Sequence, residues 1–338
     1  MKKEAMFYKK LPDAKAVRCG LCSQVCKIET DEFGFCGVRQ NLDGVLYTHV
    51  YGVTIARHVD PIEKKPLYHF LPGSRAFSIG TVGCNFHCGF CQNWQISQTT
   101  GGRMTEADWG QPMPPDEVVA ATLKSGCKSI AYTYTEPTIF FEYAYDTAML
   151  ARENGIRNVF VSNGYMTAQA IDVVVPYLDA ANIDLKAWSD DYYRNNCQGR
   201  LKPVLNSIRQ LKAHGIWVEI TTLLIPGEND TDEQLHGIAE FIAEVDPHMP
   251  WHISAFHPTY KFTDRPFTPL ESLEKARKIG LEKGLHYVYL GNVAVANNTM
   301  CPECGEAVIL RPGHLAEAVN LEDGKCMQCK TAINGVWK

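Results

Sequence analysis

Thr81-Val82-Gly83-Cys84-Asn85-Phe86-His87-Cys88-Gly89-Phe90-Cys91-Gln92-Asn93 sets three cysteines in a C-x3-C-x2-C array directly after an apolar run. Soft thiolates suit zinc or an iron–sulfur cluster. Three of them are one short of a closed four-cysteine site. Either His87 or a distant cysteine completes a zinc site, or one metal corner stays open for chemistry. If the loop follows the first strand of an α/β core, further ligand groups are expected at the carboxyl ends of later strands, where such folds build their sites.

The residues that follow bear out that kind of core. Apolar runs at 76–82, 129–133, 158–162, 180–185, 217–223, 251–256 and 286–290 alternate with segments of helical spacing, as at 115–124, 138–154, 201–214, 232–245 and 270–283. Strand and helix alternating in this way predict an α/β fold with a parallel sheet. A partial (β/α)6 barrel is the favoured architecture, and a complete eight-stranded barrel is the alternative. The predicted organisation is a Cys-rich N-terminal segment at 1–75, a core barrel at 76–296 and a zinc-ribbon-like C-terminal segment at 297–338.

Of 338 residues, 45% are hydrophobic and 21% charged, enough apolar material for a sizeable core. A net charge of -5 gives no reason to expect nucleic acid or an anionic membrane as partner. The first ten residues lack an apolar stretch of signal-peptide length and no uninterrupted transmembrane run is present, so the expected location is cytoplasmic. In that compartment thiols stay reduced, and thirteen cysteines point to metal rather than disulfides.

Eleven of the thirteen fall into three groups. Cys19, Cys22, Cys26 and Cys36 lie on a short glycine-containing stretch and read as a metal-stapled module, with structural zinc or an auxiliary iron–sulfur cluster as occupant. Cys84, Cys88 and Cys91 are the second group. Cys301, Cys304, Cys326 and Cys329 form two C-x2-C knuckles, a spacing that suits structural zinc. Cys127 and Cys197 stand alone and read as small buried hydrophobes.

Polar candidates follow the predicted strands in order. Glu136 offers a carboxylate, although a charge before a helix is also favoured by the dipole. Asn163 precedes Gly164, which allows close backbone approach or a plain turn. Asp184 and Lys186 are two apart, so both point inward while Leu185 faces the helices. An inward ion pair can also be purely structural. His257 stands just past the sixth strand and Asn292 past the last.

With Phe90 directly before its last cysteine, the loop reproduces a C-x3-C-x-aromatic-C pattern and resembles the radical S-adenosylmethionine (SAM) superfamily. Thr135-Glu136-Pro137, Asp184-Leu185-Lys186 and Ile225-Pro226-Gly227-Glu228-Asn229-Asp230 extend the resemblance to the pyruvate formate-lyase activase-like branch. With Cys36-Gly37-Val38-Arg39 and the C-terminal knuckles, nearly the whole chain resembles the AmmeMemoRadiSam-system radical SAM enzymes. The resemblance implies a [4Fe–4S] cluster on Cys84, Cys88 and Cys91 whose fourth iron binds SAM. One electron from the cluster would cleave SAM to methionine and a 5′-deoxyadenosyl radical, which takes hydrogen from a substrate. It gives Glu136, Asp184 and Lys186 roles in cofactor binding, with Phe90, Asn163 and His257 expected beside them at the same mouth. The glycine pair that precedes the family's glutamate is replaced here by Tyr134 and Thr135. It further implies a low-potential electron donor such as flavodoxin or ferredoxin, and AMMECR and MEMO family proteins as partners. Three functions remain on the table: an activase-like radical enzyme, a radical enzyme acting on a small molecule or peptide, and a non-catalytic zinc and iron–sulfur binding protein.

Overall fold

The computed structural model describes residues 2–12, 15–98 and 104–338. Its centre is one sheet of eight strands: β1 (Ala56–Pro61), β2 (Arg75–Gly80), β3 (Ser129–Tyr132), β4 (Arg157–Ser162), β5 (Ala180–Asp184), β6 (Trp217–Leu224), β7 (Trp251–Ala255) and β8 (Val288–Gly291). They lie side by side in chain order. β1 runs antiparallel to β2 and every later pairing is parallel. Parallel strands need crossovers, and the chain supplies α1 (Pro115–Lys124), α2 (Phe141–Glu153), α3 (Ala168–Val174), α4 (Leu201–Ala213), α5 (Asp232–Val245) and α6 (Leu270–Glu282) between successive strands from β2 to β8.

Local sequence explains where these helices begin. Pro115 occupies the first turn of α1 with Asp116 and Glu117 beside it, and Thr231 caps α5 by accepting from the Gln234 N–H. Along α5, Leu235, Ile238, Ala239 and Ile242 recur at three- and four-residue intervals and are all buried.

Side chains alternate across the strands and give the sheet two different faces. Ile79, Ile130, Phe160, Ile183, Val218, Ile220 and Ile253 belong to the main apolar core with the helices. Ala76, Ala131, Val159 and Ala180 point the other way, where Ile62, Leu67 and Phe70 cover them. Farther along that second face come Asn182, Glu219 and His252, all buried. At its carboxyl rim stand Asp184, Thr221, Leu223 and Ser254, which line a cavity.

The parallel strands number seven, where the favoured barrel has six. β8 is the seventh, and an eighth strand, the antiparallel edge strand β1, comes from before residue 75 and so ties the N-terminal segment into the sheet. Two small antiparallel sheets precede it, one from Lys3–Glu4, Arg39–Leu42 and Val45–Thr48 and the other from Tyr8–Lys10, Val17–Cys19 and Lys27–Ile28. Arg39, buried, docks this segment on α2 through Glu142, with Nη2–Oε1 at 2.6 Å. Among the described residues no helix is long and apolar enough to cross a membrane.

The helix-facing side of the sheet is expected to carry most of the stability. Ile220→Ala in β6, a site with no exposure, is expected to cost about 2–5 kcal/mol in urea unfolding. Leu281→Ala on the exposed end of α6 should change it by no more than about 0.5 kcal/mol.

Candidate functional site

The loop after β2 is held in place from three sides. Gly83 has φ +91°, and a Cβ there would lie 2.5 Å from Val38 and 2.7 Å from the Cys36 carbonyl. The Gln24 amide donates to the Asn85 carbonyl at 2.9 Å, and the His87 ring stacks on Phe35 at 4.0 Å. From the far side a single π turn, Tyr193–Cys197, presents carbonyls to the loop: Cys197 accepts from the His87 N–H at 2.9 Å and Asn196 from Gly89 at 3.0 Å. π turns are rare and often mark functional sites. Stacked on Phe35, His87 is outside the set of residues lining the cavity, so it does not close a zinc site with the cysteines.

Cys84, Cys88 and Cys91 line a cavity of about 240 Å³ together with Phe90, Asn163, Asp184 and Lys186. Among the described residues, only the Cys301, Cys304, Cys326 and Cys329 thiols all lie within 4.8 Å of one another. A tetrahedral zinc, with Zn–S near 2.3 Å, requires its sulfurs about 3.8 Å apart. The three loop thiols are therefore spread for something larger than one ion, as they must be when each holds a different iron of a cluster.

Electrostatics favour the same occupant. Burial pushes the Cys84 thiol well up, with Glu136 adding to the effect, and burial also raises Cys91. Cys88 is held below the usual thiol range by a hydrogen bond from Cys197. Three thiolates in this setting need nearby positive charge, which a bound iron cluster provides. Local donors are ready: the Phe86 N–H reaches Cys84 Sγ at 3.4 Å and the Ser97 hydroxyl lies 3.1 Å from Cys91 Sγ. The Asn85 Nδ2, buried beside Cys84, has no partner. The residues present fit a three-cysteine iron–sulfur cluster.

Lys186 Nζ lies 2.9 Å from Asp184 Oδ2 and 5.8 Å above the Phe90 ring. Burial works against the ammonium, but Asp184 and the thiols of Cys88 and Cys197 outweigh it and raise the Lys186 pKa. Asn229, fully buried in the Pro226-Gly227-Glu228 loop, positions this segment by donating to the Lys186 carbonyl at 2.6 Å and the Leu223 carbonyl at 2.9 Å. Asn163 reaches toward Cys84 Sγ at 3.9 Å and donates to Asn85 Oδ1 at 2.7 Å.

Two expected cofactor ligands do not reach the cavity. Glu136 is fully buried and both its oxygens are taken: Oε1 accepts from the Thr138 N–H and hydroxyl and from Ser162, and Oε2 accepts from the Asn163 N–H at 2.8 Å. Through these bonds it ties the chain after β3 to the end of β4. His257 is exposed and packs edge-to-face on Phe267, while the Phe256 N–H before it donates to the Thr268 hydroxyl at 2.8 Å.

The sequence reading passed over Tyr134, Thr221 and Ser254, which line the cavity, and treated Cys197 as filler. Period-two alternation sets Thr221 on one face with Leu223, and Ser254 on one face with His252, a signal that Tyr134, beyond the end of β3, does not share. Nothing in the sequence places Cys197 beside Cys88. Tyr134, Ser254 and Asn292 also line a second cavity of about 870 Å³, which contains Lys65, His58 and His252. The two cavities thus adjoin.

In the tail, Cys301 and Cys329 Sγ stand 3.5 Å apart and Cys304 and Cys326 Sγ 3.7 Å apart, the separation one tetrahedral ion needs. The Thr331 hydroxyl, 3.3 Å from Cys329, holds that thiol down to about 6.

A C-x3-C-x2-C cavity at the rim of a parallel sheet defines an α/β iron–sulfur protein class. More particularly, the radical SAM superfamily model matches residues 78–242, and the chain belongs to that superfamily. It is 44% identical over 337 residues to "Uncharacterized protein MJ0808" of Methanocaldococcus jannaschii, covering 98% of this chain and 99% of that one. It is 22% identical over 176 residues to pyruvate formate-lyase 1-activating enzyme of Escherichia coli, covering 52% of this chain and 70% of the relative. A radical SAM methyltransferase from Sphaerobacter thermophilus shares the fold, with TM-score 0.51, 17% identity, and coverage of 65% of this chain and 67% of that chain. Membership implies an enzyme that carries a [4Fe–4S] cluster and SAM.

If Glu136 is a clamp, replacing it should cost stability. Glu136→Gln sets an amide NH2 against donors, and urea unfolding is expected to lose about 1–3 kcal/mol.

Proposed function

We propose that this chain is an activase-like radical SAM enzyme whose cofactor site is the cavity of Cys84, Cys88 and Cys91. The observation that carries the reading is the spread of these thiols around a cavity that also holds Lys186 and Asp184. Bound there, the cluster and SAM supply one-electron reduction and a 5′-deoxyadenosyl radical able to take hydrogen from a substrate. Cys84, Cys88 and Cys91 would hold three irons. Asp184 and Lys186 offer SAM one carboxylate and one ammonium at fixed positions, and Phe90 shields the cluster side from water. Asn163 orders the loop around Cys84. The adjoining cavity, with Lys65 and His252 on its walls, is the substrate's approach.

The likeness to pyruvate formate-lyase 1-activating enzyme supports the activase-like choice. Catalysis on a small molecule or peptide is the second reading, favoured by the size of the adjoining cavity. The division at 1–75, 76–296 and 297–338 belongs to this proposal, as does a partial barrel, supported by the consecutive strand order. So do a zinc ion on the tail cysteines, a flavodoxin- or ferredoxin-type electron donor, and membership of the AmmeMemoRadiSam group with AMMECR and MEMO family partners. Thirteen free cysteines support a reducing, cytoplasmic location.

Reconstituted anaerobically and reduced with dithionite, the full chain is expected to convert SAM to 5′-deoxyadenosine. Cys84→Ala, Cys88→Ala or Cys91→Ala should each lower the rate more than about 100-fold, since a cluster ligand is lost. Wild-type protein that carries its cluster and leaves SAM intact would refute the reading. A stable radical detected by electron paramagnetic resonance on a candidate partner protein after turnover would select the activase; radical-free partner with a modified small product would select the second reading.

A further inference from the structure

Away from the rim, Cys19, Cys22, Cys26 and Cys36 line one small cavity with Leu21 and Ile139. The sequence leaves two occupants open for these four, and thiol spacing separates them. In the tail, pairs of sulfurs at 3.5 and 3.7 Å match one tetrahedral ion. In the N-terminal group, although all four residues face one cavity, no three thiols lie within 4.8 Å of one another; among the described residues that condition is met only in the tail. Four cysteines turned to a shared space but spread wider than one ion's coordination sphere suit a polynuclear cluster, in which each thiolate holds its own iron.

The surroundings suit a cluster that carries net negative charge. Arg39 lines the same cavity, is 1% exposed, and keeps its Nε without a partner while Glu142 takes Nη2. Backbone N–H groups of Gln24, Phe35 and Val38 lie near the Cys22, Cys26 and Cys36 sulfurs. Hydrogen bonds to sulfur and exclusion of water are two of the levers by which proteins tune such clusters.

We propose that Cys19, Cys22, Cys26 and Cys36 bind a second [4Fe–4S] cluster, separate from the one on Cys84, Cys88 and Cys91, while the tail cysteines bind a single zinc. The Cys36 carbonyl abuts Gly83, so the second cluster sits immediately beside the loop that carries the first. This assignment stands whatever the substrate is.

The test counts metals in the full chain after anaerobic reconstitution with iron and sulfide. Wild type is expected to hold about eight irons and one zinc, given four irons per cluster. The Cys84→Ala/Cys88→Ala/Cys91→Ala variant should keep half that iron and, when reduced, show the electron paramagnetic resonance of a [4Fe–4S] centre. Cys22→Ala/Cys26→Ala should also lose half the iron and keep its zinc. An iron-free triple variant containing two zincs would overturn the proposal. If Cys22→Ala/Cys26→Ala does not fold, the iron count of the triple variant decides alone.

Discussion

Parallel strands send all their carboxyl ends to one rim, and the two-residue alternation of side chains decides what arrives there. The chemistry of this protein depends on that constraint. On the inward face, the amino-terminal ends of the strands carry Ala76, Ala131, Val159 and Ala180, small enough for Ile62, Leu67 and Phe70 to seal them. The same face ends in Asp184, Thr221, Leu223 and Ser254. Small apolar groups at one end and mostly polar groups at the other set the cysteine-lined cavity at the rim, and the cysteine loop after β2 closes over it.

The loop has little to hold it by itself. Its order comes from segments remote in the sequence: Gln24 and Phe35 on one side, Asn196 and Cys197 on the other. The N-terminal segment is therefore more than an attachment. Its Cys36 carbonyl occupies the place a Cβ of residue 83 would need, so Gly83 is required for the loop and the N-terminal module to meet. A metal that staples residues 19–36 would hold one wall of the cofactor cavity.

What could be read from the sequence follows the range of the physics involved. The cysteine groups, the strand–helix alternation and the inward pairing of Asp184 with Lys186 depend on local spacing, and local spacing is written in the chain. Where Glu136 and His257 stand depends on distant partners: Ser162 and Asn163 donate to the carboxylate, and the Phe256 N–H just before His257 donates to Thr268. Cys197 escaped for the same reason, since a π turn that ends thirteen residues after Asp184 brings it to Cys88. All seven parallel strands fall on apolar runs of the alternating pattern, whereas β1 precedes the first helix crossover and joins antiparallel, outside that pattern.

Backbone strain marks where the two cavities meet. Tyr134 and Asn292 line both, and both have left-handed backbones, with φ 69° and 59°. Asparagine adopts this conformation readily, whereas a bulky tyrosine does so at a cost of about 1–3 kcal/mol. Something must offset it. The Tyr134 hydroxyl donates to Asp60 at 2.9 Å, Lys65 lies over its ring at 4.7 Å, and its carbonyl accepts from Asn93, the residue two beyond Cys91, at 2.6 Å. A glycine would hold the backbone without strain but would lose the link to Asp60 and Lys65. Tyrosine at 134 thus couples the wall of the larger cavity to the end of the cysteine loop, and the strain is the consequence of giving that junction a side chain.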